Sequence, residues 1–211
     1  MLRVGLTGGL GSGKTTVAAM LSAHGAHVLS ADDLARGLMQ PGQAVFDAIV
    51  VRFGKGVVRE DGTLDRPALA RIAFADGRVE ELNAIVHPAT IELQRRLAEE
   101  IFAVEPRAVV VVESALIFES KFGAGWRERF DCIVLVTAPD ELKIARFCAR
   151  SGDADHAALE AEARRRLAQM IPDADKLAEA DFIVRNDGSL AELQQQADRL
   201  WAYLLKRASA L

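Results

Sequence analysis

Gly8-Gly9-Leu10-Gly11-Ser12-Gly13-Lys14-Thr15 is the segment that most restricts how this chain can fold. It has the form G-x-x-x-x-G-K-[ST]. An apolar run, Leu2 to Leu6, precedes it, and a helical run opening at Lys14 follows. Strand, glycine loop and helix in that order are the setting in which this pattern binds phosphate. Glycines let consecutive backbone N–H groups turn inward without a Cβ clash. Those donors and the positive end of the helix dipole make an anion cradle. Lys14 is then placed to reach the β- and γ-phosphates of a nucleoside triphosphate, and the Thr15 hydroxyl to ligate Mg²⁺. Gly8, Gly9, Gly11, Ser12, Gly13, Lys14, Thr15 and Thr16 are the candidate nucleotide contacts. The competing reading, a glycine-rich turn with an incidental lysine, leaves both flanks unexplained.

The rest of the chain alternates strand-like and helix-like segments, the signature of an α/β fold with a parallel sheet. Strands are expected near 2–6, 26–29, 109–112, 131–137 and 182–184. Val109 to Val112, β-branched throughout, suits burial on both faces. Helices are expected over 14–24, 34–38, 44–53, 67–74, 78–86, from Pro88 to about 103, 141–150, 157–170 and 190–206. The stretch 54–66, rich in glycine and charge, reads as a loop. In the C-terminal helix Leu193, Ala197, Leu200 and Leu204 share one face. The helix at 157–170 pairs Glu160 with Arg164 and Glu162 with Arg166 at i,i+4 spacing. Polar or proline-broken segments bracket it, so residues 151–180 read as a lid or as an ordinary charged surface helix.

With 211 residues, half of them hydrophobic, one globular domain with a sizeable core is expected. A net charge of -4 argues against a nucleic-acid binder with a broad basic surface. Apolar runs such as Ala108–Val112 fall far short of the ~20 residues of a membrane span, so no membrane partner is expected. The opening has no charged n-region followed by an apolar stretch, so no signal peptide is expected. Cys132 and Cys148 are too few for a disulfide framework and read as buried thiols, pointing to a cytoplasmic protein.

Other polar residues decide what happens to the γ-phosphate. Asp32 and Asp33 follow the second expected strand, and open parallel sheets bind ligands beyond the carboxyl ends of their strands. One of them is placed to accept a hydroxyl proton or to bind Mg²⁺; helix capping before Leu34 is the equal alternative. Glu113 directly follows the valine strand, where a carboxylate can hold the Mg²⁺ shell or simply end the strand. Glu119 stands further along the same loop. Arg146 and Arg150 lie one helical turn apart, spaced to clamp phosphate oxygens. Arg164, Arg165 and Arg166 are a further cationic cluster, although such runs are usually solvated faces. His87 precedes Pro88, which favours extended backbone, and either binds substrate or caps a helix.

Taken together, the ordered motifs resemble the dephospho-CoA kinase family. They are Val4 to Thr15, Val28-Leu29-Ser30-Ala31-Asp32, Phe53-Gly54, Asp61 to Arg66, His87-Pro88, Leu116-Ile117-Phe118-Glu119, Arg146, Arg150, Arg166-Leu167-Ala168-Gln169, Lys176, Ala180-Asp181-Phe182 and Asn186. Ser30 stands where the family often has aspartate, and Ala115 where it usually has proline. The resemblance implies a three-layer α/β/α P-loop kinase with a five-stranded parallel sheet, a helical substrate-binding region and a small lid. It places the core at about 1–30, 104–150 and 181–211, the substrate region at 31–103 and the lid at 151–180. It implies that ATP, with Mg²⁺, phosphorylates the 3′-hydroxyl of dephospho-CoA. Asp32 is then the base, with Lys14 and Arg146 also catalytic. Arg150 and Asn186 serve the ATP side, and Asp65, Arg66, His87 and Leu116 the acceptor. Another small-metabolite kinase shares the loop and differs only in the substrate region. A regulatory GTPase should carry an Asn-Lys-x-Asp segment, and none occurs.

Overall fold

A computed structural model describes residues 1–119, 125–150 and 155–210, with Phe74 described by its backbone alone. The opening of the expected lid, residues 151–154, lies outside the described residues. Strands β1 (Leu2–Thr7), β2 (His27–Ser30), β3 (Val109–Glu113), β4 (Cys132–Thr137) and β5 (Phe182–Arg185) form one five-stranded parallel sheet in the order β2-β3-β1-β4-β5. The chain leaves β1 toward β2 on one side and later returns to β4 on the other. The strand order therefore reverses at β1, the position where such sheets open a crevice at their carboxyl ends. Leu6 is in register with Glu113 and Thr7 with Leu135, so the loop after β1 emerges between the ends of β3 and β4.

Helices cover both faces of the sheet. Helix α1 (Lys14–Ala23) and the last helix, α10 (Leu190–Ala208), bury Val17, Leu21, Leu193, Leu200 and Leu204 against Leu2, Val4, Leu6, Val109 and Val134. The valines of β3 are almost wholly buried, as their β-branched run requires. Ser189 and Glu192 close a capping box at the start of α10. Both cysteines are buried free thiols, and burial, then the Asp181 carboxylate, pushes the Cys132 thiol up to about 12.

The chain divides into two compact units. One holds Met1–Leu29 and the described residues from Ala98 onward, and the other holds Ser30–Leu97. The second unit is helical: α2 (Ala31–Leu38), α3 (Ala44–Phe53), α4 (Arg66–Ala75) and the first part of α5 (Val79–Val104). Its own core is Val45, Ile49, Phe53, Val57, Leu64, Leu69 and Val86.

Three sequence expectations need correction here. Helix α2 starts at Ala31 rather than Leu34, because Ser30 is the cap: its side chain accepts from the Asp33 N–H at 3.2 Å. Capping is thus not the work of Asp32 or Asp33. The expected break before Pro88 is absent, and α5 runs 26 residues straight through it. The lost donor is Pro88's N–H, whose partner would be the carbonyl of the exposed Ala84, which water can satisfy. His87 accordingly lies in a helix, not in extended backbone. The stretch 54–66 is also more ordered than a loop, with a 3-10 turn at Lys55–Val57 and a bridge between Val58 and Leu64.

The remaining helices are α6 (Trp126–Arg129), α7 (Asp140–Arg150), α8 (His156–Ala168) and α9 (Asp173–Leu177). Helix α8 packs on α7 through Ile144, Cys148, Ala163, Phe147, Leu159 and Leu167, and Leu10 of the glycine loop joins that cluster.

Candidate active site

The glycine loop carries the first part of the site. Gly11 and Gly13 have φ of 71° and 92°, backbone that other residues rarely adopt. Space adds a second requirement. A Cβ on Gly11 would lie 2.2 Å from the carbonyl oxygen of Lys143 in α7, and one on Gly13 2.1 Å from Nδ2 of Asn186. The loop is therefore shaped by close approach from two other segments as well as by its own turn.

Asn186, just after β5, is 6% exposed and binds the loop from beneath. Its Nδ2 donates to the Ser12 carbonyl at 2.8 Å. Arg146 of α7 donates to the Asn186 backbone carbonyl at 2.9 Å and to its Oδ1 at 3.2 Å. The sequence reading gave Asn186 and Arg146 to the nucleotide directly. Here the asparagine Nδ2 donates to Ser12 and two of the guanidinium's N–H groups donate to Asn186, so both residues brace the loop. Arg150, one turn further along α7, is exposed.

Helix α1 begins at the loop with no side-chain cap on its first N–H groups, leaving these donors for an anion. Lys14 Nζ lies over the loop and donates to the Gly9 carbonyl at 3.3 Å. Thr15 and Thr16 are exposed at the helix start, whereas Gly8, Gly9 and Ser12 are buried. The hydroxyls of Ser12 and Thr7 are buried and have no hydrogen-bond partner among the described residues. The Thr15 hydroxyl donates to Glu113 Oε1 at 2.7 Å, joining residues 98 positions apart in sequence. These two hard oxygen donors suit Mg²⁺, which keeps several waters and takes few protein ligands. Glu119 does not join them: its carboxylate lies 2.7 Å from the buried Lys176 ammonium, close enough for charge pairing but outside hydrogen-bond alignment.

The acceptor candidates divide by role. Asp33 pairs with Arg36 at 2.6 Å, whereas Asp32 is exposed and makes no hydrogen bond or ion pair among the described residues. Asp65 caps α4, accepting from the Ala68 N–H at 3.1 Å, and Arg66 donates to the Arg36 carbonyl at 3.3 Å. His87 is half-buried on α5. Leu116, after β3, is 40% exposed, an apolar side chain left open where most are covered.

The cluster at 164–166 is occupied. Arg164 reaches Glu141 of α7 at 2.9 Å and Glu160 at 2.9 Å, while Arg165 and Arg166 both bind Glu162. The i,i+4 pairs expected at Glu160/Arg164 and Glu162/Arg166 are present. Glu162 is consequently held down to about 2, first by Arg165 and then by Arg166.

Sequence reasoning missed Lys143. It is 3% exposed, and its Nζ contacts Asp173 at 2.6 Å and Asp140 at 3.0 Å. The available signal was its spacing, since Lys143 shares a helical face with Pro139 and Phe147 in an otherwise amphipathic segment.

Residues 2–192 match the model of the dephospho-CoA kinase family. The chain belongs to that family. A dephospho-CoA kinase of Syntrophus aciditrophicus is 41% identical over 98% of this chain and 85% of its own length. One from Symbiobacterium thermophilum is 46% identical over 94% of this chain and 79% of its own. The crystal structure of TT1252 from Thermus thermophilus superposes with a TM-score of 0.74 at 33% identity, covering 96% of this chain and 97% of that one. Dephospho-CoA kinases are transferases, and the glycine loop with the uncapped start of α1 is the P-loop nucleotide-binding element of the family. No helix among the described residues is long and apolar enough to cross a membrane.

Proposed function

We infer that this chain transfers the γ-phosphoryl group of ATP to the 3′-hydroxyl of dephospho-CoA, giving coenzyme A and ADP. The observation that carries the reading is the family match across residues 2–192, on a chain whose phosphate loop is intact. The α1 N-terminus and Lys14 bind the triphosphate, and main-chain amides of Gly8 to Gly13 line it. Asn186 and Arg146 keep that loop from relaxing, and Arg150 adds positive charge at the end of α7. Thr15 and Glu113 fit as holders of Mg²⁺, which supplies neutralisation of phosphate charge when bound.

Asp32 serves as the carboxylate that takes the acceptor's proton. It is exposed and uncommitted, while its neighbour Asp33 is held by Arg36. Phosphoryl transfer is loose, so positioning of the acceptor hydroxyl matters more than a strong base. Arg66, His87, Asp65 and Leu116 belong to the acceptor side, with Asp65 acting through α4, which it caps. Helix α8 is the lid, and its closure excludes water as a competing acceptor. The enzyme works in the cytoplasm on a small molecule and binds neither nucleic acid nor membrane.

A panel assay of ADP release tests the reading with dephospho-CoA, AMP, CMP and shikimate as acceptors. Turnover with dephospho-CoA and formation of coenzyme A are expected. ADP release with another acceptor, and none with dephospho-CoA, would overturn it.

A further inference from the structure

Lys143 has no place in the mechanism above, yet its surroundings are built. The ammonium is buried, and Asp173 holds it at 2.6 Å with Asp140 at 3.0 Å. The Thr137 hydroxyl, at the end of β4, donates to the same Asp173 oxygen at 2.6 Å. Above the ammonium lies the phosphate loop: a Cβ on Gly9 would sit 3.4 Å from Lys143 Nζ, and the Gly9 carbonyl accepts from Lys14. Asp173 is itself only 17% exposed, so its negative charge is poorly screened.

A partly buried carboxylate near an anion-binding loop works against that loop. Asp173, if unopposed, would repel the triphosphate through a medium of low effective dielectric. Lys14 and the α1 dipole would then have to overcome it.

We propose that Lys143 is a positioning residue of the phosphate loop, a buried cation that offsets the charge of Asp173, the less exposed of its two partners, so that the positive field of Lys14 and the α1 N-terminus is not opposed at Gly9. The inference rests on the nucleotide-binding reading of the loop and deepens it. Lys143 acts from below, through the loop, and touches no reacting atom. Its role is uniform: it supports ATP binding and leaves the acceptor's site and the chemical step alone.

ATP affinity, measured by calorimetry on the full chain without acceptor, separates charge from packing. Lys143→Met keeps the length of the side chain and removes the charge; ATP should bind about tenfold more weakly. Turnover at saturating ATP and KM for dephospho-CoA should stay within about twofold, since binding lost equally in ground and transition states raises KM alone. Lys143→Arg should keep most of the affinity. Asp173→Asn is the decisive variant, because the two explanations differ in sign. If the pair matters through charge, ATP should bind about two- to fivefold more tightly; if it matters only as a brace, ATP binds no better or more weakly. The double variant Lys143→Met/Asp173→Asn should return toward wild type.

Unchanged affinity in Lys143→Met, weaker or unchanged affinity in Asp173→Asn, or a double variant no better than Lys143→Met would each overturn the proposal. If Lys143→Met does not fold, the sign of the Asp173→Asn change still decides. Wild-type protein that binds ATP but leaves dephospho-CoA unphosphorylated would refute the proposed reaction, while the binding comparison would still judge Lys143.

Discussion

Asp32 and Asp33 stand side by side, and the same chemistry was open to both until their surroundings were known. The Ser30 cap starts the helix early enough that neither aspartate is needed as a cap, and Arg36 then engages Asp33 alone. In the proposed reaction Asp32 is the carboxylate left for the acceptor hydroxyl. Asp32→Asn should therefore lower kcat about 100-fold or more with ATP affinity nearly unchanged, whereas Lys14→Ala should weaken ATP binding and turnover together. Steady-state kinetics with calorimetric ATP titration checks both, and near wild-type turnover in Asp32→Asn would remove the assignment. Asn186 carries the opposite lesson. It is named by its motif, but its amide faces the Ser12 carbonyl and Arg146, contacts that bring together positions 174 and 40 residues apart. No local pattern foretells such pairings.

Among the elements, α8 shows how a charged helix can be wired. Its arginines were legible from spacing, and their i,i+4 partners are where the helical period puts them. The bond from Arg164 to Glu141 on α7 was not, since it depends on how two helices pack. Glu162 offers a measurable consequence. Its pKa is lowered in the folded chain to about 2 from an ordinary 4.5, so its contribution to stability is complete above the unfolded value. That contribution is lost as pH falls from about 4.5 toward 2. The gap in Tm between wild type and Glu162→Gln should be constant from pH 7 to 5 and shrink between pH 4.5 and 3. The partners are half exposed, so solvent screening keeps the gap to about 1–2 °C. A gap that widens on acidification would contradict the pairing. Helix α5 is the counterexample at this scale: Pro88 predicts a boundary, yet apolar residues on either side, such as Val86 and Ala98, are buried and hold the helix through it.

For the whole molecule, ligand binding to the phosphate loop is linked to global stability. The loop is gripped by β1, α1, α7 and the segment after β5, so an occupied loop ties four parts of the first unit together. ATP at one hundred times its Kd should stabilise the fold by about 2.7 kcal/mol. For a chain of this size that is a rise in Tm of about 5–10 °C. Differential scanning fluorimetry reads it directly, and Lys14→Ala should lose most of the shift. No shift with wild type at saturating ATP would mean that the loop does not bind nucleotide.

From the sequence alone came the phosphate loop, the alternation of strands and helices, the buried face of α10, and Thr15 and Glu113 as separate candidates for the metal side. Each depends on neighbours along the chain, on residue type or on a period, and such information is local. Tertiary structure alone decided that Ser30 frees both aspartates from capping, that Asn186 and Arg146 brace the loop, and that a lysine is buried beneath Gly9. Those outcomes depend on which distant side chain fills a given space, and on the cost of burying a charge without its partner.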